Sequence, residues 1–327
     1  MTGFKHTKYY GNVTCCGSQA VLTAFFTQNE VPDIRLFEAF TTVPFGIMHM
    51  NDDPHRLLTC YFDPDHGIDR AFDSMGIKYE TYFQKKGTDG IEALNTLISW
   101  CSESPVVLGP LNMDGLQYIF HSELLYRMDH YIVVLGWDKE KFWVCDPEGF
   151  ALASIDSEAL LKGWRGDTIP EGRGEFIMRR VTGKSNLACD MDIYHKTLIH
   201  LVDNMVKARD MKYGGGNALN TLAAKWGDIK ADPALQRRLT FDIPVRMQRC
   251  VFAKQFLREA DKLFKYSKFE KLCEEAYLCI DQQIEGYSRT VGGLLNKSLE
   301  SLGEFYNIAR LEYELTDIYK AMGDSLQ

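Results

Sequence analysis

Tyr9-Tyr-Gly-Asn-Val-Thr-Cys-Cys-Gly-Ser-Gln-Ala-Val-Leu-Thr-Ala-Phe-Phe26 sets two adjacent thiols and a glycine at the head of an apolar run. Thr14 is spaced to cap a helix whose first residues are Cys15, Cys16 and Gly17, with Ala20, Val21, Ala24 and Phe25 as its buried face. A thiol there stands at the positive end of the helix dipole. Unpaired N–H groups and the dipole favour thiolate, the form that acts as nucleophile. Gly17 leaves room for a substrate carbonyl to approach the backbone.

A nucleophilic cysteine needs a base, and the base needs a third group to hold it. Pro105-Val-Val-Leu-Gly-Pro110 reads as a short buried strand stopped by Gly-Pro, and His130-Tyr-Ile-Val-Val-Leu-Gly-Trp137 as a longer one of β-branched and aromatic residues. Asp138 to Lys141 make a polar turn, and Phe142-Trp-Val-Cys145 returns before Asp146-Pro147 ends it. In that hairpin His130 opens one strand and Asp146 closes the other, so the two lie near the same end. The ring nitrogen expected to face Asp146 is Nδ1, as in serine-protease triads.

From residue 1 to about 185 the pattern is mixed, and beyond it the period is helical. Leu198, Leu201, Val202, Met205 and Val206 form one apolar stripe; Cys250, Ala253, Leu257, Ala260 and Phe264 a second; Leu311, Leu315, Ile318, Tyr319 and Met322 a third. Ser267-Lys-Phe-Glu270 has capping-box spacing and predicts a new helix start. A chain of 327 residues gives about two domains at roughly 150 residues each. The expected division is 1–185 and 186–327, and the fold class α+β. A net charge of -8 lacks the basic footprint of a nucleic-acid binder. Nine cysteines with no paired spacing argue against a disulfide scaffold and for the reducing cytosol. No run reaches the roughly 18 apolar residues of a membrane span, and the opening residues lack a signal-peptide core.

The order of Cys-Gly at a helix start, His-Tyr-Ile-Val-Val on a strand and Asp-Pro 16 residues later resembles the papain-like fold, particularly the bacteriocin-processing cysteine peptidases. More closely, the chain resembles the butirosin-biosynthesis H family, which pairs a papain-like N-terminal domain with a helical C-terminal domain. Leu36-Phe-Glu-Ala-Phe-Thr-Thr-Val-Pro-Phe-Gly46 and Pro105-Val-Val-Leu-Gly109 are further points of likeness. The resemblance implies a mainly antiparallel sheet followed by an all-α domain, Cys16 as nucleophile, His130 as base and Asp146 as orienting acid. It also implies acyl transfer from a carrier-protein thioester to a small amine, without a cofactor. Papain-like peptidases carry a glutamine six residues before the cysteine to donate to the oxyanion, and here position 10 is Tyr. Asn12, four residues before Cys16, is expected as the substitute donor beside the Cys16 N–H. Losing such a donor costs about 10²- to 10³-fold in rate, which favours a reactive thioester over a peptide bond.

Alternatives stay open at this level. Cys15 competes with Cys16, hydrolysis competes with transfer, and a non-catalytic binding protein on the same scaffold is a third reading. The remaining seven cysteines read as packing residues. His49, His55 and His66 among Asp52, Asp53, Asp63 and Asp65 match no closed metal-ligand pattern and read as an acidic solvated loop. Gly183-Lys-Ser185 lacks the first glycine of a phosphate loop, since position 178 is Met. Tyr213-Gly-Gly-Gly-Asn217 reads as a flexible interhelical turn rather than an anion site. Lys254, Arg258, Lys262, Lys265, Lys268 and Lys271 read as a solvated face rather than a docking surface for an acidic carrier. Whether the chain forms a homodimer is left undecided.

Overall fold

The computed structural model describes residues 14–27, 30–50, 57–169, 173–184, 187–265, 267–296 and 302–326. In chain order its elements are α1 (Cys16–Phe25), α2 (Ile34–Phe40), β1 (Ile47–Met48), β2 (Thr59–Cys60), α3 (Pro64–Met75), β3 (Lys78–Gln84), α4 (Ile91–Glu103), β4 (Val106–Asn112), β5 (Asp129–Trp137), β6 (Lys141–Asp146), β7 (Phe150–Asp156), α5 (Ser157–Trp164) and β8 (Glu175–Gly183). Only helices follow among the described residues: α6 (Asp190–Asp210), α7 (Gly215–Ala224), α8 (Trp226–Ala231), α9 (Pro233–Phe264), α10 (Ser267–Leu295) and α11 (Leu302–Ser325). The fold is α+β. No described helix is long and apolar enough to cross a membrane.

Two compact units share the chain: residues up to Ile34 with Pro64–Leu187, and Arg35–Asp63 with Ala188–Gln327. The units part at Leu187 and Ala188, and the segment from Arg35 to Asp63 groups with the helices. Its apolar residues explain why. Phe40 and Phe45 meet Phe256 at 6.4 and 5.9 Å between ring centroids, and Phe45 also meets Tyr319 at 5.7 Å. Arg246 donates to the Pro44 carbonyl at 2.6 Å, and Asn204 to that of Thr42 at 3.2 Å. Local text cannot reveal partners some two hundred residues away.

The first unit is built on an antiparallel six-stranded sheet in the order β3-β8-β4-β5-β6-β7. Leu97 and Cys101 of α4 and Leu160 and Trp164 of α5 bury one face with Leu108, Ile132, Val134, Val144 and Met178. Alternation of side chains along a strand makes such a face. β4 does not stop at Gly109-Pro110 as expected. Gly109 takes φ +140, and the register shifts between Leu108 and Leu111, after which the ladder resumes with Leu111 opposite His130. The extra residue is a β-bulge, a device that lets a strand continue past a local break.

Asp65 corrects the reading of a solvated acidic loop. It lies in the first turn of α3, fully buried, and pairs with Arg179 of β8 and with Arg173 at 2.7 Å. Arg179 also reaches Asp69 at 2.8 Å and the Gly109 carbonyl at 3.4 Å. A buried guanidinium with this many acceptors ties α3, β8 and the bulge of β4 together.

The second unit keeps the expected stripes. Leu198, Leu201 and Met205 of α6, all five named residues of α9, and Leu311, Leu315, Tyr319 and Met322 of α11 are buried, while Val202, Val206 and Ile318 are half-buried. α10 begins at Ser267 as expected. The expected flexible turn is instead the packed start of α7, with Gly214 as its N-cap: a Cβ on Gly216 would stand 2.5 Å from the Tyr313 ring. In the basic run, Lys254 pairs with Asp281 at 2.6 Å and Lys262 with Glu259 at 2.9 Å.

Candidate active site

Helix α1 starts one residue later than the sequence suggests. Cys15 is the N-cap, without a side-chain capping bond, and Cys16 is the first helical residue. The first intrahelical bond runs from Gln19 N to Cys15 O at 3.0 Å. The N–H groups of Cys16 and Gly17 thus have no acceptor within the helix, as geometry requires of a first turn. The shift also separates the two thiols. Cys15 is buried, and Gln19 Nε2 lies 3.9 Å from its sulfur, whereas Cys16 is partly exposed. A Cβ on Gly17 would meet Ile68 and the Tyr131 ring at 3.4 Å, so the helix start rests against the strand that carries His130.

His130 and Asp146 meet because of strand register. Val133 pairs with Cys145, so one step further Asp146 sits toward the His130 end, and alternation places both side chains on one face. His130 Nε2 lies 2.7 Å from Asp146 Oδ1, both groups buried. The nitrogen is Nε2, not the expected Nδ1. An ionised carboxylate only accepts, so Nε2 carries the proton and Nδ1 is left for Cys16, whose side chain hydrogen-bonds the same imidazole.

Electrostatics follow from this geometry. Burial alone pushes the His130 imidazole down, yet the hydrogen bonds and charges of Asp146 and Cys16 outweigh it and hold it well above the ordinary histidine value. Burial would raise Asp146, but His130, the Glu148 N–H at 2.7 Å and the Tyr118 hydroxyl at 2.8 Å keep it below the usual carboxylate range. The arrangement favours imidazolium beside carboxylate, which is the partner a thiolate needs. Burial pushes thiols elsewhere in the chain up: Cys101 and Cys250 to about 11, Cys145 and Cys273 to about 12.

Of the expected site residues, the structure brings Cys16, His130 and Asp146 together. Asn12 lies outside the described residues. His55, Asp52 and Asp53 lie outside them as well, and His49 is buried with Nδ1 2.6 Å from the Leu57 carbonyl. Sequence reasoning missed Tyr118. It stands in the loop between β4 and β5, where no periodicity marks an inward side chain; an aromatic with a polar tip a dozen residues before His130 was the available signal.

No family model matches the chain. A curated relative, the uncharacterized protein YobF of Bacillus subtilis (strain 168), is 30% identical over 166 residues. The match takes in 51% of this chain and 53% of YobF, so the chain spans about half the length of that relative.

Proposed function

We propose that the protein is a cysteine-dependent acyltransferase that moves an acyl group from a carrier-protein thioester to a small amine. One observation carries the reading: a buried imidazole holds Asp146 at 2.7 Å through one nitrogen and hydrogen-bonds the partly exposed Cys16. The Cys16 thiolate attacks the thioester carbonyl carbon, and the oxyanion is met by first-turn N–H groups of α1. The C–S bond to the carrier breaks, and His130 delivers its proton to the departing thiolate. An amine then attacks the acyl-enzyme, passes a proton to His130 and leaves as the amide, with Cys16 restored. No redox step or metal enters this sequence.

Hydrolysis by the same thiol is the second reading, since water can take the place of the amine. The absence of Gln at position 10 and the resemblance to the butirosin-biosynthesis H family favour thioester over peptide substrates. The test is intact mass after incubation with a panel of acyl thioesters, with peptide mapping. An acyl adduct on Cys16 that is discharged faster by amines than by water supports transfer. Discharge at one rate whatever the amine supports hydrolysis, and no adduct with any thioester rejects both.

A further inference from the structure

The loop between β4 and β5 sends Tyr118 into the site from outside the three residues that the chemistry needs. Its hydroxyl donates to Asp146 Oδ2 at 2.8 Å, the oxygen that His130 does not use. Its ring is held edge-on by Phe150 at 5.2 Å between centroids, and Phe150 is paired with Asp146 across the β6–β7 hairpin. Burial and the charge of Asp146 hold the phenol well above its ordinary value, so it is a permanent donor.

We infer that Tyr118 is a positioning residue that acts through Asp146 to set the orientation and proton affinity of His130. The inference rests on the reading of Cys16 and His130 as nucleophile and base. With His130 and the Glu148 N–H on Oδ1 and Tyr118 on Oδ2, the carboxylate is anchored at both oxygens, and the phenol is what prevents it from turning Oδ2 toward the ring. Donation from the phenol also draws negative charge onto Oδ2 and away from the Oδ1 that faces His130. Tyr118 therefore restrains the imidazolium: without it, an Asp146 that stays ionised concentrates its charge on His130 and raises the proton affinity of the ring. A purely structural tyrosine would affect stability without moving this titration.

The experiment uses the full chain and reads the rate of Cys16 alkylation by iodoacetamide from pH 4 to 10, independently of any acyl substrate. In the wild type, the profile should carry a separate alkaline limb that reports the His130 imidazole beside the thiol. In Tyr118→Phe, the alkaline limb, where His130 loses its proton, should move up by roughly half a unit to one unit. A second variant carries 3,5-difluorotyrosine at position 118, which keeps the shape and donates more strongly; its limb should move down. If the wild-type rate follows ordinary thiol titration, the Cys16–His130 reading itself fails. If the wild type shows the paired profile and both position-118 variants overlay it, only the role of Tyr118 is overturned. Should Tyr118→Phe not fold, the difluorotyrosine variant decides alone.

Discussion

At the scale of single residues, two thiols stand side by side and the fold treats them differently. Cys15 faces Gln19 in the interior, while Cys16 begins α1 beside His130. Iodoacetamide at pH 6 should therefore modify Cys16 at least about tenfold faster than the exposed Cys189, a thiol on the surface that serves as internal reference. Peptide mapping checks it, and preferential labelling of Cys15 or Cys189 would remove the assignment. Asp146→Asn should leave the fold intact, lower single-turnover acylation by roughly 10²- to 10⁴-fold and bring the imidazole titration down, because an amide can orient the ring toward the wrong tautomer. Nuclear magnetic resonance of the His130 ring reads the shift. The His130–Asp146 pair was legible in the sequence because a hairpin dictates which residues share an end and a face. The choice of ring nitrogen was not, since it depends on the rotamer that the packed strand end admits. The N-cap was misread by one residue because Thr14 has the right chemistry for a cap.

At the scale of elements, the loop that carries Tyr118 is pressed onto α5 by two glycines. A Cβ on Gly115 would stand 2.4 Å from the Gly163 Cα and 2.5 Å from its nitrogen, so the obstacle is backbone. Gly115→Ala should cost about 1–3 kcal/mol in a denaturation experiment and loosen the Tyr118 bond to Asp146. The alanine variant should then copy part of the pH shift seen when the phenol is removed, and a destabilised protein with an unmoved titration would show that the loop keeps its tyrosine in place by other contacts. The helices of the second unit were legible from their stripes, as were β5 and β6 from their β-branched runs. The order of strands was not: β8 enters the sheet between β3 and β4, and no local pattern announces a neighbour that distant. Nor did Gly109-Pro110 look compatible with a strand until the bulge gave it a place in β4.

At the scale of the whole molecule, stability should carry a pH dependence from Asp242 of α9. Its Oδ2 accepts from the Leu57 and Leu58 N–H groups at 3.2 and 3.1 Å, and Oδ1 pairs with Arg238 at 2.9 Å. Burial outweighs these partners and pushes the carboxyl up to about 6, against roughly 4 in an unfolded chain. The folded state thus binds more protons between those values, and this contribution, full below about pH 4, is lost as pH rises through about 6. Asp65 and Asp146, both lowered, act in the opposite sense and withdraw their support only as pH falls below the ordinary carboxylate range. Thermal unfolding of the wild type and Asp242→Asn should converge near pH 4 and separate by roughly 1–3 kcal/mol at pH 7.5 in favour of the asparagine; equal curves at both pH values would contradict this account. The interleaving of the two units has a further consequence for a chain made from one end. As the ribosome releases residues 35–63, the helices that will cover Phe40 and Phe45 have not yet been translated, and β3 waits in the same way for β8. The nascent protein carries an unfinished apolar segment through the synthesis of its entire sheet, so a chain cut near residue 190 and freed from the ribosome would hold every strand of the sheet while Phe40 and Phe45 lacked their helical partners.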